Sequence, residues 1–440
     1  MSDWTIDELY EWDEKICTIA HKFNLNWHPV VYEICDYYEM IGHMSYHGMP
    51  SHYQHWSFGK SFEMTRQSYN AGASGLPYEL IINSNPSIAY LMRENPMFLQ
   101  ILIMAHCLGH SDFFKNNAHF AHTNPDGIIS QLKSAKKRIQ SYVEDPSIGV
   151  EKVEKILDAA HAISFHTEMF GRERVPHAKI KKKYVEKVKN DTDMKWLNMD
   201  LGKIPLEQDT DLLGCMIEHG KHLTDWERDI ITIVREESMY FAPQMRTKIL
   251  NEGWASFWHY KILNELDLPQ KYHIPFLKSH NQVVCPHTHD INPYFMGFYL
   301  FNRTEKEKGL EECFAIRDVH HDESAIRELL DEQACSDLGL YNFSLKKSKS
   351  AGNNYTIDDV HDSEGWKEIK NNLVKTVGIG RIPKIYVDNI TKGGDIVLKH
   401  DHDGRDLDLE YAKNVVNQIS NLWEGSVSLF TVIEDEPFEI

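Results

Sequence analysis

The sequence predicts an α+β protein that is mainly helical, with a helical N-terminal region and a small C-terminal α+β domain. Three observations predict this. Apolar residues recur at helical period through most of residues 1–333. The run from Pro96 to His110 is almost wholly apolar and reads as a helix buried on most sides. After residue 333 the order becomes ββαββαβ, which suggests helices on one face of a sheet. The 440 residues exceed one average domain, and the division expected is 1–333 and 334–440.

Residues 5–23 place Leu9, Trp12, Ile16, Ile19 and Ala20 on one face of a first helix. Residues 29–44 read as a second helix opened by Pro29. The stretch 49–78 is dense in His, aromatic, Gly and Ser residues and reads as strand and loop. A short strand is expected at 79–83 and a helix at 87–94, before the apolar run. Helices follow at 128–144 and 149–168, parted by the turn Asp145-Pro-Ser-Ile-Gly149. Residues 171–205 are basic and poorly periodic, and read as a solvated loop or excursion. Helices come next at 206–220, 224–240 and 243–264, the second opening on the capping-box pattern Thr224-Asp-Trp-Glu227. A helix at 293–309 has Pro293 at its start. The C-terminal order is strands 340–346 and 353–358, helix 364–376, strands 383–388 and 395–399, helix 407–421 and strand 426–433.

Hydrophobic content of 42% supports a real core. A net charge of −19 argues against nucleic acid and anionic membranes as main partners. The seven cysteines lie far apart with no CxxC, which fits free thiols in a reducing compartment. No signal peptide is evident, and no stretch approaches the ~20 apolar residues of a membrane span, so a cytoplasmic location is expected.

The chain holds 25 histidines, and two of them, in Met104-Ala-His-Cys-Leu-Gly-His110, stand one helical turn apart. Helical spacing of four lets His106 and His110 ligate one metal ion. In the HExxH zinc helix the residue after the first His is the general base, and here it is Cys107. Spacing alone leaves two core histidines with internal hydrogen bonds as an equal alternative. Asn251-Glu-Gly-Trp-Ala255 resembles the helix that supplies the carboxylate ligand in zinc hydrolases with two His and one Glu. Glu252 is therefore the candidate third ligand, Gly253 allows close approach, and Ala255 leaves room against the histidine helix. His259 shares a helix face with Glu252, open to the roles of fourth ligand, ligand partner or proton shuttle. Glu237, beside Arg235, is a candidate replacement base, with an ion pair to Arg235 or Arg246 as the plainer reading. His52, His55 and Lys60 lie in an aromatic stretch that could wall a substrate site, and Asn117 could aim a donor at substrate or cap its helix. His287 and His289 could chelate from an extended segment or simply face solvent.

These phrases resemble the stage V sporulation protein R (SpoVR) family. The resemblance is carried by His52-Tyr-Gln-His-Trp-Ser-Phe-Gly-Lys60, Ala105-His-Cys-Leu-Gly-His-Ser-Asp-Phe-Phe-Lys-Asn-Asn117, and Phe241-Ala-Pro-Gln-Met-Arg-Thr-Lys-Ile-Leu-Asn-Glu-Gly-Trp-Ala-Ser-Phe-Trp-His259. Ile291-Asn-Pro-Tyr294 and His400-Asp-His-Asp-Gly-Arg-Asp-Leu-Asp408 add to it, so that nearly the whole chain is covered. The resemblance implies a link to spore cortex formation or to starvation and stress. It also implies company with a serine protein kinase of the PrkA type and a von Willebrand A-like protein. Cys107 stands where family members more often have Val.

The leading expectation is a helical, zinc-hydrolase-like region in which His106, His110 and Glu252 hold zinc. Glu237 and His259 would serve catalysis on an amide of a peptide or cell-wall precursor. The alternative is a non-catalytic partner of the kinase and the von Willebrand A-like protein. A carboxylate-bridged di-iron or manganese centre using Glu236 and Glu237 lacks the paired ExxH motifs of that class.

Overall fold

The computed structural model describes residues 4–71, 79–190, 200–287, 290–348, 352–360 and 362–440. Along the chain run α1 (Ile6–Lys22), β1 (Val30–Cys35), α2 (Tyr37–Ser45), α3 (Trp56–Asn70), β2 (Glu79–Ile82), β3 (Ser87–Met92), α4 (Met97–Asn116) and α5 (Ile128–Glu144). Next come α6 (Val150–Ala162), α7 (His177–Lys189), α8 (Leu212–His219), α9 (Asp225–Arg246), α10 (Lys248–Glu265), α11 (Gln270–Val283) and α12 (Pro293–Lys308). They are followed by α13 (Leu310–Val319), α14 (Asp322–Leu329), α15 (Glu332–Asp337), β4 (Asn342–Ser348), β5 (Gly352–Asp359) and α16 (Gly365–Thr376). The chain closes with β6 (Ile385–Ile390), β7 (Ile396–His400), α17 (Leu409–Trp423), β8 (Val427–Ile433) and β9 (Glu436–Glu439). The fold is α+β and mainly helical, as the sequence predicts.

Two compact units divide the chain, one formed by residues 1–133 and 244–381, the other by residues 134–243 and 382–440. Residue 333 thus falls inside the first unit.

The first unit is built on α4, α10 and α12. Almost every side chain of α4 is buried, because its sequence is apolar around the whole circumference. It is the one helix among the described residues long and apolar enough to cross a membrane, which amends the expectation that no stretch approaches that length. Its apolar window is 94% buried inside the structure. Trp254, Phe257 and Trp258 of α10 pack with Phe301 of α12 and Phe314 of α13 in edge-on and tilted ring contacts. Asp112 of α4 accepts hydrogen bonds from Trp254 Nε1 at 2.8 Å and from the Asn26 amide at 2.7 Å, and pairs with Arg317 of α13. Asp322, buried on α14, accepts from the amides of Ile249 and Leu250 at 2.9 and 3.0 Å. It thereby caps the first turn of α10, whose own Thr247 makes no side-chain cap bond.

Beside these helices lies a three-stranded sheet of order β1-β3-β2, with β1 parallel and β2 antiparallel to β3. Three expectations are corrected here. Residues 29–44 split into β1 and α2, because Val30, Val31 and Ile34 are β-branched and Asp36 starts the helix with a capping box to Glu39. Of the expected helix 87–94, residues 87–92 form β3, a central strand buried so fully that it loses the alternation that marks a half-exposed strand. Within 49–71, residues 56–70 form α3, whose N-terminus is capped by His55. The rest of that stretch, 72–78, lies outside the described residues. Further on, α14, α15 and α16 share a cluster with α12 through Ile326, Leu330, Leu338, Ile369 and Leu373.

In the second unit the sheet order is β6-β7-β8-β9, with β7 and β8 parallel and joined through α17. Ala412, Val416, Ile419 and Leu422 of α17 are buried. The expected single C-terminal sheet is corrected: β4 and β5 form a separate hairpin, and β9 adds an edge strand. Residues 177–189 form α7 rather than loop, since the lysines there leave Tyr184 buried on one face and the charges in solvent. Arg235 pairs with Asp211 at 2.7 Å.

Candidate metal centre

The centre forms where α4 crosses α10. A Cβ on Gly109 would lie 2.8 Å from the Ala255 Cα, so that crossing needs glycine on one side and a small residue on the other. Gly253 serves a different contact. Its added Cβ would lie 2.3 Å from the Gly297 backbone, which seats α12 against α10. Close approach on both sides drives Glu252 into the core beside the histidines of α4.

Four residues converge there: Glu79, His106, His110 and Glu252, with one donor atom of each within 4.8 Å of all the others. Glu252 Oε2 lies 3.5 Å from His106 Nε2 and 3.3 Å from His110 Nε2. Glu79 Oε1 lies 3.6 Å from His106 Nε2. These separations are longer than good hydrogen bonds, which fall near 2.7–3.2 Å. They match the edge of a tetrahedron around zinc, about 3.4 Å for metal–donor distances near 2.1 Å. Among the described residues, His106 Nε2 and Glu252 Oε2 are buried with no partner inside hydrogen-bond distance, although such groups are normally satisfied. The donor set therefore fits a divalent ion.

The other ring nitrogens of the two histidines are engaged. His110 Nδ1 lies 2.9 Å from Asn251 Oδ1, which makes Nδ1 the donor and leaves the Nε2 lone pair toward the cluster. His106 Nδ1 lies 2.9 Å from His259 Nδ1, and His259 Nε2 lies 2.7 Å from His280 Nδ1. His259 thus touches His106 and is not itself one of the four clustered residues. Lys248 Nζ lies 2.5 Å from Glu252 Oε1 and reaches solvent with a half-exposed side chain. The Tyr294 ring is near parallel to that of His106 at 6.0 Å, and its hydroxyl lies 3.4 Å from Glu79 Oε1.

Burial works against ionised Glu252, yet Lys248 and His110 hold its carboxyl well below the usual range. Burial also disfavours charged His110, and the Glu252 carboxylate outweighs it and raises that imidazole. Burial and the neighbouring imidazoles push His259 well down, and burial with His106 takes His280 to about 4. Burial, then Glu252 and Glu79, push the Tyr294 phenol well up. Burial likewise raises the Cys107 thiol, so it does not substitute for the missing base.

A family model for SpoVR like protein matches residues 3–382. The chain belongs to the SpoVR family. The uncharacterized protein YcgB of Escherichia coli (strain K12) is 34% identical over 491 aligned residues, spanning 100% of this chain and 94% of that relative. No solved structure matches the chain with significance.

The structure brings together His106, His110 and Glu252, sets Tyr294 and Lys248 of the same SpoVR phrases near them, and adds Glu79 and His280 from outside those phrases. Glu237 lies on α9 in the second unit, whereas the four-residue cluster is in the first. Asn117 donates to the carbonyls of Arg317 and His320 at 2.6 and 2.9 Å and accepts from the His119 amide, so its side chain ties the end of α13 to the turn after α4 rather than capping α4 itself. His52 is buried against Tyr53 and Phe58, and Lys60 reaches over the Trp56 ring. His287 is exposed, and His289 lies outside the described residues. The signal that could have found Glu79 is a lone carboxylate opening the apolar strand Glu79-Leu-Ile-Ile82.

Proposed function

We propose that this SpoVR family member is a metal-dependent hydrolase acting on an amide, with zinc held by His106, His110 and Glu252. The observation that carries the reading is the set of buried donors held near 3.4 Å apart, two of them without other partners among the described residues. A divalent ion there supplies Lewis-acid polarisation of a substrate carbonyl and activation of water.

The chain's own groups divide the remaining work. Glu79 Oε1 takes up a proton beside the cluster, the base role that sequence reasoning gave to Glu237. The Tyr294 hydroxyl, next to Glu79, donates a hydrogen bond to developing negative charge on substrate. Lys248 balances Glu252 and, through its half-exposed side chain, reaches the solvent side. By analogy with zinc hydrolases of the two-His, one-Glu class, the amide lies in a peptide or cell-wall precursor.

The test is elemental analysis of the purified full chain with His106→Ala and Glu252→Ala alongside. The expected result is about one ion per chain in the wild type and loss in both variants. A folded wild type that takes up no zinc, iron or manganese would overturn the proposal. A second reading, a non-catalytic partner of a PrkA-type kinase and a von Willebrand A-like protein, draws on the buried, unreactive Cys107 at the usual base position.

A further inference from the structure

Behind the ligands runs a line of three buried imidazoles. His259 is 0% exposed and His280 2%, and the described partners of His259 are both imidazoles. Around His280 stand the rings of Tyr260, Phe298 and Phe276, at 4.6, 5.0 and 6.2 Å. A neutral imidazole has one N–H and one lone pair. Each of the two N···N bonds therefore needs a donor and an acceptor, and fixing one ring fixes all three.

Two polarities satisfy both bonds. In one, His106 carries its proton on Nδ1 and donates to His259 Nδ1, and His259 carries its own on Nε2 and donates to His280 Nδ1. His280 then has its proton on Nε2, and the His106 Nε2 lone pair faces the cluster. In the other, every proton sits across its bond, and His106 Nε2 keeps an N–H pointed at Glu252 and Glu79.

We propose that His259 and His280 are positioning residues that set the tautomer of His106, and that a divalent cation selects the polarity with the His106 Nε2 lone pair facing the cluster. The inference rests on the metal-site reading above. Passing from the second polarity to the first moves one proton across each N···N bond. One proton leaves His106 Nε2 and one is taken up at His280 Nε2, both exchanged with solvent. Three ring protons are present in each state.

The test measures zinc affinity, by competition with a chromophoric chelator, for full-length wild type, His280→Leu and His280→Gln. Leucine leaves the His259 Nε2 proton buried without an acceptor, and zinc binding should weaken about tenfold to a hundredfold. Glutamine restores a carbonyl acceptor, and its affinity should return to within about threefold of wild type. Wild-type affinity in His280→Leu, or no recovery in His280→Gln, overturns the inference while leaving the metal site standing. A wild type that binds no zinc overturns the metal reading itself. If His280→Leu does not fold, long-range proton–nitrogen NMR of histidine-labelled wild type decides. With zinc bound it should read N–H at Nδ1 of His106 and at Nε2 of His259 and His280, and any other pattern refutes the inference.

Discussion

Replacing Gly109 with alanine sets two effects against each other at the crossing that forms the metal centre. In an open helix the change stabilises by up to about 1 kcal/mol, because glycine loses more backbone freedom on folding. At Gly109 the new Cβ would meet the Ala255 Cα at 2.8 Å and its Cβ at 3.4 Å. Carbon contacts are favourable near 3.5–4.0 Å, so α4 and α10 must part by roughly 0.7 Å or more. The opposing atom is backbone and has no rotamer through which to yield. Overpacking of this kind costs about 1–3 kcal/mol, which cancels or exceeds the helical gain. Parting the helices also draws His106 and His110 away from Glu252. Metal–ligand distances tolerate only about 0.2 Å, so zinc affinity should fall at least about tenfold.

Denaturant unfolding of the metal-free protein and chelator competition with zinc measure the two effects. Gly59→Ala on α3 is the control, since nothing lies within 4 Å of its added Cβ. That variant should gain about 0.5–1 kcal/mol and bind zinc as wild type does. If Gly109→Ala is as stable as Gly59→Ala and keeps wild-type zinc affinity, the close crossing does not set the ligand spacing.

Three further outcomes are expected. Lys248→Ala removes a cation that competes with metal for Glu252, so zinc should bind several-fold more tightly while the metal-free protein loses about 1 kcal/mol or less; weaker zinc binding in isothermal titration would contradict this. Burial pushes the Asp322 carboxyl up to about 7 despite the Ile249 and Leu250 amides, so its stabilising contribution is full below pH 4 and is lost as pH rises toward 7. Asp322→Asn keeps an acceptor for α10 and should flatten that decline, worth at most about 4 kcal/mol, in unfolding curves taken from pH 4 to 8; an undiminished decline would refute it. Arg317→Met removes the one cation paired with the fully buried Asp112 carboxylate among the described residues and should cost about 3–5 kcal/mol in urea unfolding, whereas a loss under 1 kcal/mol would show that the Trp254 and Asn26 donors suffice.

Much of the four-residue cluster was legible because its members repeat at helical spacing or sit in one distinctive phrase. His106 and His110 share a face of an apolar helix, and Asn251-Glu-Gly-Trp-Ala255 carries both Glu252 of the cluster and the small residue that meets α4. Glu79 was not legible, since a strand brings it in from a distant part of the chain and leaves no periodic mark. His280 was hidden among many histidines, and only its ring contact with His259 distinguishes it. The element errors share a cause. Ser87 to Met92 is apolar on both faces, and such a run has no period that separates strand from helix. Asp36 and Glu39 did carry the start signal of α2, but Pro29 seven residues earlier offered a competing one.

X-ray absorption at the zinc edge of the loaded full-length protein tests the metal centre most directly. Two imidazole nitrogens and one or two carboxylate oxygens at about 2.0–2.2 Å are expected, with no sulfur near 2.3 Å, and the signal should be lost in Glu252→Ala. A shell containing sulfur or three imidazoles, or one unchanged in Glu252→Ala, would contradict the assignment of His106, His110 and Glu252 as the ligands.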